Sequence, residues 1–193
     1  NQAAVTIQYA SGSASIGSLD GQADQLAQIS YDGPAQLAPQ QSYSVRGGLG
    51  RLMIRSAGSH GGFRFFGNNA DGHTDLPLNL TVQEGGSTSQ LDLSKLRVTS
   101  LSLETGASTT TLTVPASGVT SAQIKGGAAT IDVEVPQGTA AQIQYEGGLS
   151  TLNVDQARFP SAGNQLYRSA DYDSATNKVD LTIQAGVATV NVK

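Results

Sequence analysis

The densest run of chemistry-bearing residues is Asn68-Asn69-Ala70-Asp71-Gly72-His73-Thr74-Asp75, where Asp71, His73 and Asp75 alternate behind two amide side chains. Carboxylate and amide oxygens around a glycine are what a calcium ion takes from a loop, so Asp71, His73 and Asp75 are the candidate metal ligands. The glutamate that closes the usual calcium loop is absent, and a polar loop tip made of turn formers accounts for the same residues. The expectation is therefore no metal centre. His60 and His73 are the two histidines, and neither stands in an HExxH or paired-ligand spacing. Serines are plentiful, but none occupies a nucleophile-elbow pattern. Asp171 and Asp173 would share a face, as a glycosidase pair must, only if their segment is extended, and acids beside tyrosines in a loop are ordinarily solvated. No catalytic residue and no cofactor is expected.

Two further groups of residues concern binding rather than catalysis. Phe63, Phe65 and Phe66 cluster around Arg64, and Tyr167 and Tyr172 lie in a second aromatic-rich stretch. Together they form the candidate partner surface, with core packing of part of the phenylalanine cluster as the competing reading. Asp92, Thr113, Asp132, Asn153 and Asn191 would form an outward polar column if successive strands stack in register. Such a ladder could hold a carbohydrate or cations weakly, or simply keep sheet edges from associating.

The elements that must position these residues announce themselves by repetition. Gly85-Gly86 leads to Leu91-Asp92-Leu93, Gly106-Ala107 to Leu112-Thr113-Val114, Gly126-Gly127 to Ile131-Asp132-Val133, and Gly147-Gly148 to Leu152-Asn153-Val154. The leading glycines are 21, 20 and 21 residues apart. A fixed period of that size is the mark of a stacked architecture, since one unit cannot bury its apolar face alone. Looser copies occur at Gly47-Gly48 and Ala185-Gly186, and a degenerate one at Gly12. Alternation of period two dominates, as in Val5/Ile7/Tyr9, Ile131/Val133/Val135 and Val179/Leu181/Ile183, and helical periodicity is nearly missing.

These features predict an all-β, single-domain β-solenoid over residues 1–193, with coils of about 20 residues. The expected divisions are N-terminal coils over 1–55, a projecting loop over 56–75, regular repeats over 76–155, a second projecting loop over 156–178 and a terminal coil over 179–193. Gly47, Gly48, Gly85, Gly86, Gly106, Gly126, Gly127, Gly147, Gly148 and Gly186 are the expected structural turns, where the backbone takes positive φ or passes close to a neighbouring coil. No capping helix is evident at either end of the stack, which leaves its ends in want of a partner.

Charge and composition exclude several classes. Eleven basic residues stand against fifteen acidic ones and look scattered along the chain, so no nucleic-acid partner is expected. Cysteine is absent, which removes disulfides and thiolate chemistry together. No apolar run reaches the roughly 20 residues of a membrane-spanning helix. The chain opens at Asn1 without a methionine, and with its composition this suggests a segment whose signal peptide or anchor lies outside it, exported to the extracellular or cell-surface side.

Laid out this way, the chain resembles the toast-rack domains of bacterial envelope proteins, relatives of the putative-adhesin and LiaF-like cell-wall-stress families. The resemblance rests on Gly12-Ser13-Ala14-Ser15-Ile16, Tyr43-Ser44-Val45-Arg46-Gly47-Gly48, Leu101-Ser102-Leu103-Glu104-Thr105-Gly106, Ile124-Lys125-Gly126-Gly127 and Tyr145-Glu146-Gly147-Gly148. It implies a sheet-wrapped β-solenoid displayed outside the cytoplasmic membrane, and it carries no catalytic residues over. The expected function is a non-catalytic structural or adhesion-type module of the cell envelope, meeting a protein partner or a cell-surface glycan and touching a membrane only through an outside anchor. The alternatives are a fibre subunit that self-associates head-to-tail through solenoid ends, and a sensor or regulatory domain of a cell-wall stress response.

Overall fold

Alternating apolar residues with a two-residue period can bury one face only by pairing laterally, and the chain does this throughout. The computed structural model describes residues 2–19, 27–32, 38–56, 62–68 and 77–193. These form one sixteen-stranded sheet, with no helix among the described residues.

Two strands are long enough to bend through both halves of the sheet: β1 (Gln2–Leu19), with β2 (Ala27–Asp32), β3 (Gln40–Arg46), β4 (Leu49–Ser56) and β5 (Gly62–Asn68) following it, and β6 (Leu78–Asp92). The later strands come in pairs, one per arm: β7 (Val98–Thr105) with β8 (Thr109–Thr113), β9 (Val119–Gly126) with β10 (Thr130–Glu134), and β11 (Ala140–Gly147) with β12 (Thr151–Val154). A short hairpin, β13 (Ser161–Gly163) and β14 (Leu166–Arg168), precedes the last pair, β15 (Lys178–Ala185) and β16 (Thr189–Val192).

Pairing gives the first arm the order β3-β4-β1-β6-β7-β9-β15-β11-β14-β13 and the second arm the order β2-β5-β1-β6-β8-β10-β16-β12. Between β4 and β11, and between β5 and β12, every pairing is parallel. Register then stacks like on like. Ile54, Ile7, Val82, Leu103, Ile124, Ile183 and Tyr145 form one inward column of the first arm, and Leu91, Leu112, Val133 and Val192 one of the second. All are buried, and they belong to a single apolar core held between the arms. At about 25 cal/mol per Å² of apolar surface removed from water, these columns are the main favourable term of the fold.

The rows do not follow chain order. β15 and β16 insert between the β9–β10 row and the β11–β12 row, and β1 lies between the β4–β5 row and β6. With β14 paired antiparallel on the outer edge of β11, the returning chain takes the inner edge. The ends are also covered differently from expectation. No helix caps them, but antiparallel strands do: β3 on β4, β2 on β5 and β14 on β11, leaving β12 with one neighbour among the described residues.

Both expected loops contain sheet. Within 56–75, Gly62–Asn68 is a strand whose Phe63 and Phe65 are in register with Ala14 and Ile16 of β1, because their alternation continues the apolar pattern of the second arm. Within 156–178, the β13–β14 hairpin docks on β11, Phe159 is buried, and the Arg158 guanidinium donates to the carbonyls of Val135 (2.8 Å) and Pro136 (3.1 Å).

Candidate functional site

The outward residue that follows the last core residue of each first-arm strand is polar in every row. Arg55, Gln8, Gln83, Glu104, Lys125, Gln184 and Glu146 are register partners in that order. Their side chains bond along the stack. Arg55 Nε donates to Gln8 Oε1 (2.9 Å), Gln8 Nε2 to Gln83 Oε1, and Gln83 Nε2 to Glu104 Oε2 (2.8 Å). Lys125 Nζ lies 3.9 Å from Glu104 Oε1, and Gln184 Nε2 donates to Glu146 Oε2 (2.9 Å).

Beside this ladder runs the bend between the arms, where the rows approach most closely. A Cβ at Gly106 would sit 2.8 Å from the Gly85 carbonyl oxygen, so this position has room only for hydrogen. Glycine floor and polar wall together enclose a shallow groove of about 670 Å³, lined by Gln8, Ala10, Arg55, Gln83, Gly85, Glu104, Gly106, Lys125 and Gly127 among others.

Under the groove floor lies a buried acid. Glu84 points inward and accepts hydrogen bonds from the hydroxyls of Tyr9, Ser87, Ser89 and Thr110. Burial, then the charge of and hydrogen bond to Glu84, pushes the Tyr9 phenol above its ordinary range, which keeps it a donor. Four hydroxyl donors on one carboxylate satisfy a group that would be costly to bury alone. On the second arm, Asn153 Nδ2 donates to Asn191 Oδ1 (2.8 Å) and Asn191 Nδ2 to Asp132 Oδ1 (2.6 Å). The outer faces thus spend their polar groups on one another, and no three His, Cys, Asp or Glu side chains among the described residues converge on a metal.

The sequence-predicted residues distribute as follows. Asp71, His73, Asp75 and His60 lie outside the described residues. Phe63, Phe65 and Phe66 lie on β5, in register with Ala14, Ile16 and Gly17. Tyr172 is buried rather than presented, and Tyr167 is half-buried against the core. The reason is local: Arg168 stacks over the Tyr172 ring at 4.7 Å and Lys178 at 5.2 Å, so the two cations lid it. Burial, aided by a hydrogen bond to Asp180 and its charge, raises the Tyr172 phenol to about 12 against a smaller opposing pull from Arg168.

The polar column expected from Asp92, Thr113, Asp132, Asn153 and Asn191 splits in two. Asp92 and Thr113 pair with each other and onward to Glu134, whereas Asp132 pairs with Thr111, Asn191 and, through it, Asn153. The 20-residue step among the 21-residue ones put the copies two residues out of phase. Gly47 and Gly48 do not mark a bend between arms: with φ of 57° and 80° they form the two-residue turn of the β3–β4 hairpin. The groove ladder was missed although its signal is plain, since Gln83, Glu104, Lys125 and Glu146 recur every 21 residues.

Comparison with known proteins follows the same lines. No curated protein matches the chain. A crystal structure of a putative cell adhesion protein from Clostridium sporogenes ATCC 15579 superposes with a TM-score of 0.84 at 19% identity, covering 100% of this chain and 92% of that one. At that identity the likeness is one of fold. A putative adhesin from Bacteroides fragilis NCTC 9343 aligns with a TM-score of 0.28 at 10% identity, over 98% of this chain and 91% of that one. The family model described as the N-terminal domain of toast_rack, DUF2154, matches residues 1–134, and the chain therefore belongs to the toast-rack family.

Proposed function

We propose that this chain is a non-catalytic, extracytoplasmic structural module of adhesion type, a β-solenoid with coils of about 20 residues on the surface of a bacterial envelope. The observation that carries this reading is the outer face itself. Its polar side chains are tied to one another row by row, from Arg55 to Glu104 and from Gln184 to Glu146, instead of converging on a reacting atom. Catalysis needs a nucleophile, base and electrostatic stabiliser aimed at one point, and a ladder aims nowhere. A ladder beside a glycine floor suits an extended polar chain laid along the stack, and a cell-surface glycan is the occupant we assign to the groove. The name of the Clostridium structure supports the adhesion reading by analogy of fold. Fibre growth through the ends is less favoured, because antiparallel strands cover three of the four terminal arms.

The test is retention of the purified chain on insoluble bacterial cell-wall glycan. Retention that falls when Gln83 and Lys125 are both replaced by alanine, with unchanged melting, supports the reading. Absence of retention, or retention indifferent to the double substitution, overturns the glycan assignment.

A further inference from the structure

Charge is segregated along this chain. From Gly33 through Ala70 there are four arginines, Arg46, Arg51, Arg55 and Arg64, and no Asp or Glu; the rest of the sequence holds seven basic residues and all fifteen acidic ones. The fold turns this segregation into a position. Arg46 lies on β3, Arg51 and Arg55 on β4 and Arg64 on β5, all exposed and all in the rows at one end of the stack.

On the outer face of the first arm the neighbours are neutral. Arg51 is in register with Ser44 and Ala4, and Arg55 with Gln40 and Gln8. The second arm is more balanced there, since β2 brings Asp32 opposite Gly62, two positions from the Arg64–Ser30 pair. Following the ladder from Arg55, the first acid met is Glu104, three rows away. At about 4.8 Å per row that is roughly 14 Å, beyond the Debye length of about 8 Å at physiological salt. An anionic surface touching the end row is thus attracted by the arginines while the acidic body is screened, and that body, carrying the excess negative charge, is repelled if it turns inward.

The same row is also apolar on its other face. Every residue of β3 is exposed, and Tyr43 and Val45, on the face opposite Arg46, are 59% and 58% exposed. A tyrosine and a β-branched residue flanked by arginine is the composition that settles at a lipid headgroup layer, the ring in the interface and the guanidinium on phosphate. We propose that the β3–β4 row docks the domain end-on to an anionic lipid surface. Attraction of this kind amounts to about 1 kcal/mol, or about fivefold in partition, per basic residue at the surface. The arginines supply the charge dependence, and Tyr43 and Val45 supply a part that salt does not remove.

The experiment is co-sedimentation of the intact chain with vesicles of phosphatidylcholine alone and of equimolar phosphatidylcholine and phosphatidylglycerol, across salt concentration. Arg46→Gln with Arg51→Gln, and Tyr43→Ser separately, are compared with the unaltered chain after a thermal melt shows each is folded. Binding to the anionic vesicles only, weakened by salt, reduced about 25-fold by the double substitution and reduced again by Tyr43→Ser, is the expected result. Equal sedimentation with both vesicles, or a double variant that binds as well as the parent, overturns the proposal. So does light scattering that shows a dimer dispersed by Tyr43→Ser, because the row would then face a second copy. Equal capture by soluble polyphosphate with no effect of Tyr43→Ser also overturns it, in favour of a general polyanion site.

Discussion

Alanine placed at Gly85, Gly86 and Gly106 isolates the close approach of the rows from every other effect of glycine. None of the three has positive φ, so backbone strain is not at issue. The distances are graded. A Cβ at Gly86 would lie 3.8 Å from the nearest atom, the Ala107 oxygen; at Gly106 it would lie 2.8 Å from the Gly85 oxygen; at Gly85 it would lie 2.2 Å from the Ala10 oxygen. Carbon and oxygen rest comfortably at about 3.3 Å or more, so Gly106→Ala asks for a movement of roughly half an ångström and Gly85→Ala for about one. The atom in the way is a main-chain carbonyl in a bonded stack: Gly106 itself donates to Glu84 (3.0 Å) and Gly127 to Thr105 (2.9 Å), so yielding there strains the neighbouring rows. Overpacking of this size costs about 1–3 kcal/mol, and for a chain of this length about 2–4 °C of Tm accompanies each kcal/mol. We expect a loss of about 2 kcal/mol and 4–8 °C for Gly106→Ala, a larger loss for Gly85→Ala, and for Gly86→Ala no loss or a gain of up to about 1 kcal/mol from a stiffer unfolded chain. Calorimetric melts of the three variants decide it. If Gly106→Ala melts with Gly86→Ala, the glycines are not there to let the rows meet, and that account of the repeat is wrong.

Two further substitutions probe buried polar groups. Tyr172 has its phenol raised to about 12 in the folded chain against an ordinary value of 10.0, so the native state holds that proton more tightly than the unfolded state. The stabilisation is complete below pH 10 and declines as pH rises toward about 12; melts across that window should fall less steeply for Tyr172→Phe than for the parent. Glu84→Ala removes the shared acceptor of four hydroxyls and, at about 1–3 kcal/mol for each one left unpaired, should cost about 3 kcal/mol or more in urea titration, while Glu84→Gln, which keeps an acceptor oxygen, should cost less.

The all-β class and the apolar columns were legible because alternation is a local signal: Ile7, Val82, Leu103 and Ile124 declare their face within their own strands. The groove ladder was legible in principle, at a strict period of 21, but polar residues on a strand invite no scrutiny one at a time. What pattern could not supply was partner choice. Nothing in Val179-Asp180-Leu181-Thr182-Ile183 says which of two equally apolar edges it will pair with, because parallel pairing depends on which edge is vacant when the strand arrives. The burial of Tyr172 escaped for a related reason: its lid is made by Arg168 and Lys178, placed by the chain's return across β11 and not by any repeat. The clustering of four arginines at one end likewise required the rows of β3, β4 and β5 to be brought together.

The order of the rows carries the strongest consequence for dynamics, and it separates this topology from one that follows the chain. If rows stacked in sequence order, β16 would form the last row and be the first to open. Here β16 is held on both sides, by β10 and β12, and β12 is the row with a single neighbour among the described residues. Amides that bond across these edges give the comparison directly: Thr189 to Ala129 (3.0 Å) and Lys193 to Val133 (3.1 Å) in the inner row, Thr151 to Ala188 (2.9 Å) and Asp155 to Val192 (2.9 Å) in the outer one. An outer row opens without disturbing the row beneath it, whereas exposing the amides of an inner row breaks pairing with its neighbours and uncovers core residues such as Val190 and Val192. Hydrogen exchange should therefore release Thr151 and Asp155 well before Thr189, with Lys193 intermediate through its place at the strand end. Thr189 exchanging ahead of Thr151 would mean that the C-terminal strand lies on the outside, and the topology would have to be redrawn in chain order.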